Sequence, residues 1–171
     1  MEPDVVGRYH GTAGLPESAA SGPAPGLRLP VADAVEFLRG RWRVERVITD
    51  HASGTTGRFD GTAVFAETQP GTLEYHEQGE LRFGTYQGEA SRRLIYRARP
   101  DGTADVYFGD GRDFYHLDPR PGRWTGQHPC GSDHYTLAAE RLGAAAFRER
   151  WQVSGPDKDY ELSTTLTRTS A

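Results

Sequence analysis

The chain has 171 residues, a net charge of −4 and a pI of about 5.9. That length suits one domain with a sizeable core, and the mild acidity excludes a partner held mainly by phosphate attraction, so neither nucleic acid nor membrane is expected. A lone cysteine, Cys130, excludes an internal disulfide, and no apolar run approaches the roughly 18 residues of a membrane-spanning helix.

With no charged start followed by an apolar stretch, a cytoplasmic protein is expected. Arginine outnumbers lysine, and alanine and glycine are plentiful, as in a GC-rich bacterial genome. Residues 1–28 show no sustained period and hold Gly11, Gly14, Pro16, Gly22, Pro23, Pro25 and Gly26. They read as a flexible N-terminal arm before a single domain over 29–171; docking of Val5 and Val6 on that domain is the alternative. Val31, Ala34, Val35 and Leu38 then fall at helical spacing, with Pro30 suited to a first helical position and Gly40 to a stop. A short helix over 31–39, capping one mouth of a barrel, is expected.

From Arg41 onward the period is two. Trp42, Val44, Arg46 and Ile48 share one face, and Arg41, Arg43, Glu45 and Val47 the other. Turn signals recur at Ser53-Gly54, Pro70-Gly71, Gln78-Gly79, Asp101-Gly102, Asp110-Gly111, Pro121-Gly122 and Gly155-Pro156. Short runs rich in Tyr, Phe, Val, Thr and Leu lie between them, and the best strand candidates are 41–51, 58–67, 72–77, 80–87, 92–99, 104–109, 112–117, 123–128, 133–140, 145–153 and 159–169. Residues 137–147 have helical propensity, but Phe147, Glu149, Trp151 and Val153 alternate immediately afterwards, which favours strand. The fold class is therefore all-β, an antiparallel barrel of eight to ten strands with a short N-terminal capping helix.

Polar side chains on an apolar strand face carry the most information, because burying them costs free energy unless they are paired. Arg46 lies among Trp42, Val44 and Ile48, and Glu149 among Phe147, Trp151 and Val153. Each is a candidate ligand-binding residue; a mutual ion pair is the simpler alternative. The densest polar cluster is the run 127–135. In it His128, Asp133 and Tyr135 are the candidate acid–base residues, supplying an imidazole, a carboxylate and a phenol. His128, Cys130 and Asp133 match no standard zinc spacing, so no metal is expected. Trp124, Trp151 and His116 complete the candidate ligand-binding set. Lys158 reads as a solvated turn residue or as one aimed at a barrel mouth.

Gly40-x-Trp42 after a short helix, with Arg168 on the last strand-like run, resembles the calycin signature of lipocalins and fatty-acid-binding proteins. In such a barrel an indole capped by a guanidinium plugs one end. Phe37-Leu38-x-Gly40-x-Trp42 with Arg46, His128-x-Cys130-x-x-Asp133-x-Tyr135, and Trp151-x-Val153-x-Gly155-Pro156-x-Lys158-x-Tyr160 with Arg168 together resemble the bacterial and fungal family known as domain of unknown function 6314, over about residues 36–169. The calycin likeness implies a ligand-holding barrel. Haem-binding barrels of the nitrobindin type use a histidine on a late strand; residues 159–169 contain none, and no cofactor is expected.

The expected function is binding of a small, partly apolar organic molecule inside the barrel. The alternative is a cofactor-independent biosynthetic enzyme, of isomerase or cyclase type, using acid–base residues in the same cavity. The expected partner is that small molecule, and a homodimer is compatible with the sequence.

Overall fold

Alternation of apolar and polar residues decides the architecture, since each strand can bury only every second side chain. The computed structural model describes residues 29–170; the proposed arm over 1–28 lies outside them. One helix, α1 (Ala34–Leu38), precedes ten strands: β1 (Gly40–Asp50), β2 (Thr55–Gln69), β3 (Thr72–Phe83), β4 (Tyr86–Ala98), β5 (Ala104–Phe108), β6 (Asp113–Leu117), β7 (Arg123–Cys130), β8 (Asp133–Gly143), β9 (Ala146–Gly155) and β10 (Lys158–Arg168). They form one antiparallel sheet in the order β6-β5-β4-β3-β2-β1-β10-β9-β8-β7. The chain thus meanders up and down, and pairing of β1 with β10 joins its two ends.

The sheet curls into a nearly closed barrel whose seam lies between β6 and β7. Side chains seal it where no ladder is formed. Tyr115 lies over Gly126, where a Cβ would come within 2.9 Å of the ring, and Phe114 meets the His128 ring at 5.3 Å between centroids. A larger residue at 126 would push the two edges apart.

Several boundaries differ from the sequence expectation; the candidate strand 80–87 runs through the turn at residues 84–85 that separates β3 from β4. Gln78-Gly79 is not a turn: β3 runs through it, because Gly79 faces Gly61 across the ladder and the backbones approach too closely for any Cβ. The helix begins at Ala34 rather than Val31, because Asp33 caps it by accepting the Glu36 N–H at 3.0 Å. Residues 137–147 are strand and turn, as the alternating run that follows them predicts.

The helix closes one mouth. The Ala34 N–H donates to Gly102 O at 2.9 Å, and Ala34, Val35 and Leu38 are buried. Beneath it Trp42 is fully buried, with its indole N–H donating to Leu38 O at 2.7 Å. The Arg168 guanidinium, opposite Trp42 in the β1–β10 register, lies 4.3 Å from the indole centroid. It donates to Arg39 O at 2.6 Å and to Phe37 O at 2.5 Å, so it neutralises carbonyls at the end of α1. Gly40 makes this possible: its φ is +122°, and a Cβ there would come within 2.9 Å of Arg168 Nη1.

Candidate functional site

Above the plug, inward alternation places polar groups in a belt around the barrel. Glu149 on β9 is level with Thr164 on β10, and Thr164 with Arg46 on β1. Glu77 on β3 is level with Arg92 on β4. Arg46 is the hub. Its two terminal nitrogens donate to the two Glu77 carboxylate oxygens at 2.8 Å each, and its Nε donates to Thr164 Oγ1 at 2.9 Å. The Tyr75 hydroxyl makes a very short hydrogen bond to the same carboxylate.

Burial by itself would push the Glu77 carboxyl up, but Arg46 beside it, Arg92 across the strand and the Tyr75 hydroxyl outweigh that and lower its pKa to about 2. Arg46 shows the converse balance: burial opposes its charge, Glu77 restores it, and the pKa is raised. This is a fork-to-fork ion pair, the geometry that best offsets the desolvation of both charges.

Glu149 is different. Its carboxylate makes no hydrogen bond or ion pair with any described residue, and it lines a small recess of about 20 Å³ with Arg46, Arg92, Tyr96 and Tyr115, room for about one water. Burial raises its pKa to about 7, Arg92 and Arg46 restraining the rise and Glu77 adding to it.

That shift has a stability consequence. Between the ordinary carboxyl value of 4.5 and about 7 the unfolded chain loses this proton while the folded chain keeps it, so stability falls as pH rises through that window. Glu149→Gln removes the ionisation. Its advantage over the unsubstituted protein should grow by about 2–3 kcal/mol between pH 5 and pH 8. Urea unfolding at the two pH values measures this, and parallel pH profiles for the two proteins would contradict it.

Beyond the belt, toward the mouth opposite the helix, the interior opens into a cavity of about 340 Å³. Aromatic rings dominate its wall. Phe114 stacks on Trp151 with centroids 5.0 Å apart and planes at 12°, and the Phe108 and His128 rings stand beside Phe114 at 4.4 and 5.3 Å. Phe59, Tyr160, Ile48 and Leu162 complete the apolar part, while Arg46, Glu77 and Arg92 form its floor.

Of the sequence candidates, the structure brings Arg46, His128, Tyr135 and Trp151 to this cavity, and Glu149 to the recess below it. Tyr135 is held at the mouth by Lys158, whose ammonium donates to the phenol oxygen at 3.1 Å. Asp133 does not line the cavity. It lies tight against Gly155 and forms an ion pair with Lys158 at 3.0 Å, bracing the β8, β9 and β10 ends. Trp124 is buried at the plugged end against Phe147, 6.0 Å between centroids. His116 alternates to the outer face, exposed, with Nδ1 2.9 Å from Asp105. These three are corrected by geometry: two sit at the wrong height in the barrel and one on the wrong side of its wall. Neither Glu149 nor Asp133 pairs with Arg46; Glu77 does. Among the described residues no group of three His, Cys, Asp or Glu side chains is placed to hold a metal, and no helix is long and apolar enough to cross a membrane.

Sequence reasoning missed Glu77, Arg92, Tyr75 and Thr164. The signal for Glu77 was present: it alternates in phase with Leu73, Tyr75, Leu81 and Phe83, all buried, but a strand break at Gln78-Gly79 hides the phase.

Fold and cavity together define an up-and-down antiparallel β-barrel with an enclosed polar belt. Residues 38–168 match the model of DUF6314, a family of unknown function, and the chain belongs to that family. No curated protein matches the sequence. Among solved structures it is similar to an S-type phycobiliprotein lyase from Guillardia theta, with 8% identity and a TM-score of 0.56 over 80% of this chain and 91% of that one. It is also similar to a de novo designed fluorescence-activating β-barrel, with 14% identity and a TM-score of 0.45 over 81% of this chain and 100% of that one. A barrel called EF1p2_mFAP2b, bound to DFHBI, gives 16% identity and a TM-score of 0.43 over 81% of this chain and 98% of that one. At these identities the likeness is one of fold.

Proposed function

We propose that the barrel binds a small, partly apolar organic molecule in the cavity above the Arg46–Glu77 belt. The observation that supports this is the cavity itself: about 340 Å³, walled by stacked aromatic rings and floored by charge. Its volume sits at the small end of the roughly 300–1,000 Å³ of ligand pockets, which suits a compact molecule rather than a peptide. The rings favour a flat ligand, since offset and edge-on contacts with Phe114, Trp151 and Phe108 are the ones available. The lyase that shares the fold is named for phycobiliproteins; for this chain, the cavity is what supports a ligand. The stacking of Arg168 on Trp42 beside Gly40 supports a calycin relationship.

A second reading, a cofactor-independent isomerase or cyclase, draws support from Glu149. A buried carboxyl whose pKa is raised to about 7 can give and take a proton near neutrality. In that reading Glu149 at the recess, rather than Asp133, supplies the carboxyl group, with His128 and Tyr135 farther out on the wall.

Native mass spectrometry of the protein purified from its own host tests the binding reading. A bound small molecule released on denaturation is expected, and His128→Ala should lower its occupancy while the protein stays folded. Ligand-free protein whose melting temperature no planar aromatic compound raises would overturn it. Incubating the released molecule with fresh protein separates the two readings: chemical change means catalysis, and unchanged mass and retention mean carriage.

A further inference from the structure

The belt leaves one guanidinium without a hydrogen-bonded partner among the described residues. Arg46 and Glu77 cancel, and both Glu77 oxygens are already engaged by Arg46 and Tyr75. Arg112, at the cavity mouth, pairs with Asp110 at 2.7 Å. Arg93 borders the cavity but is exposed and alternates to the outer face of β4. Arg92 is left. It points inward between the cavity and the recess, its guanidinium carbon 5.5 Å from the Phe114 centroid, with no ion pair or hydrogen bond to any described residue. A guanidinium stays charged in any environment, so in a partly desolvated site it calls for an anion. Across the recess lies Glu149, equally unpaired.

We propose that the cavity ligand is an aromatic or conjugated monocarboxylate, its ring against Phe114 and Trp151 and its carboxylate on Arg92, within reach of the Glu149 side chain. This rests on the reading that the cavity holds a ligand and adds the ligand's charge and class. A monoanion fits and a dianion does not. One guanidinium is free, and the ionised Glu77 carboxylate would repel a second negative charge. Arg46 is not the anion-binding residue, because Glu77 and Thr164 already fill its donor set.

The test compares naphthoate with its neutral isostere naphthamide by calorimetric titration against the whole chain. The unsubstituted protein should bind naphthoate at least about tenfold more tightly, the scale of one charge-assisted contact. Arg92→Gln should abolish that preference, bringing the two affinities together, and Arg92→Lys should keep part of it.

The pH dependence gives a second readout, for use if Arg92→Gln does not fold. Glu149 faces Arg46 on β1, Tyr75 and Glu77 on β3, Arg92 and Tyr96 on β4 and Tyr115 on β6. As pH rises through about 7 the Glu149 proton is lost and the preference for naphthoate should shrink; Glu149→Gln should hold it constant. Equal binding of the two compounds, a preference that survives Arg92→Gln, or a wild-type preference that does not change with pH overturns the carboxylate assignment and leaves the binding reading standing. Failure of both compounds to bind overturns both.

Discussion

Glu77→Ala is expected to destabilise the fold by about 3–5 kcal/mol, the range for removing one partner of a buried ion pair. The substitution leaves the Arg46 guanidinium inside the barrel with Thr164 Oγ1 as its remaining hydrogen-bond partner, and it strands the Tyr75 hydroxyl. Both side chains of the pair are well shielded, 11% and 3% exposed, so solvent screening offers little relief. Replacing both partners with apolar residues of similar size, as in Arg46→Met with Glu77→Leu, should recover most of the loss, because no unpaired charge remains. The acid limb of stability carries the same signature. A carboxyl lowered from 4.5 to about 2 stabilises the fold above its unfolded value, and that contribution disappears as pH falls through about 2. Glu77→Gln should therefore be less sensitive to acid than the unsubstituted protein over that interval. Chemical denaturation at neutral pH decides the main point: a loss under about 1 kcal/mol for Glu77→Ala would mean that water reaches Arg46 freely.

Trp42→Ala should cost a comparable amount, about 3–5 kcal/mol, as large-to-small changes of buried aromatics do. The indole is 0% exposed and meets Phe37, Phe65 and Phe147 near edge-on, at centroid distances of 6.0, 6.4 and 5.1 Å. Its removal leaves a void at the plugged end, frees Leu38 O and withdraws the face beneath Arg168. Trp42→Phe should cost less, since it keeps a ring in place but loses the hydrogen bond. Arg168→Met should fall between them, sacrificing the two contacts to the end of α1 and retaining much of the stem's packing. A melting temperature for Trp42→Ala within error of the unsubstituted protein would show that α1 and Arg168 close the barrel without the indole.

The period of two from Trp42 onward was enough to establish a curled antiparallel sheet, and the spacing from Val31 to Leu38 was enough to establish a helix at its mouth. Alternation also exposed Arg46 and Glu149 as polar groups on apolar faces, because which face a side chain takes is a local property of a strand. The pairing of Trp42 with Arg168 was legible too, since an up-and-down barrel must join its first strand to its last. Which groups meet across the interior was decided only by tertiary structure. Arg46 found Glu77, 31 residues away on a strand with which β1 shares no ladder; Asp133, though dense with polar neighbours in sequence, reached only Lys158. Face follows from parity along one strand, but height in the barrel follows from the summed register of every ladder between two residues. A single close approach, such as Gly79 on Gly61, keeps β3 running through an apparent turn and brings Glu77 and Arg92 into the belt.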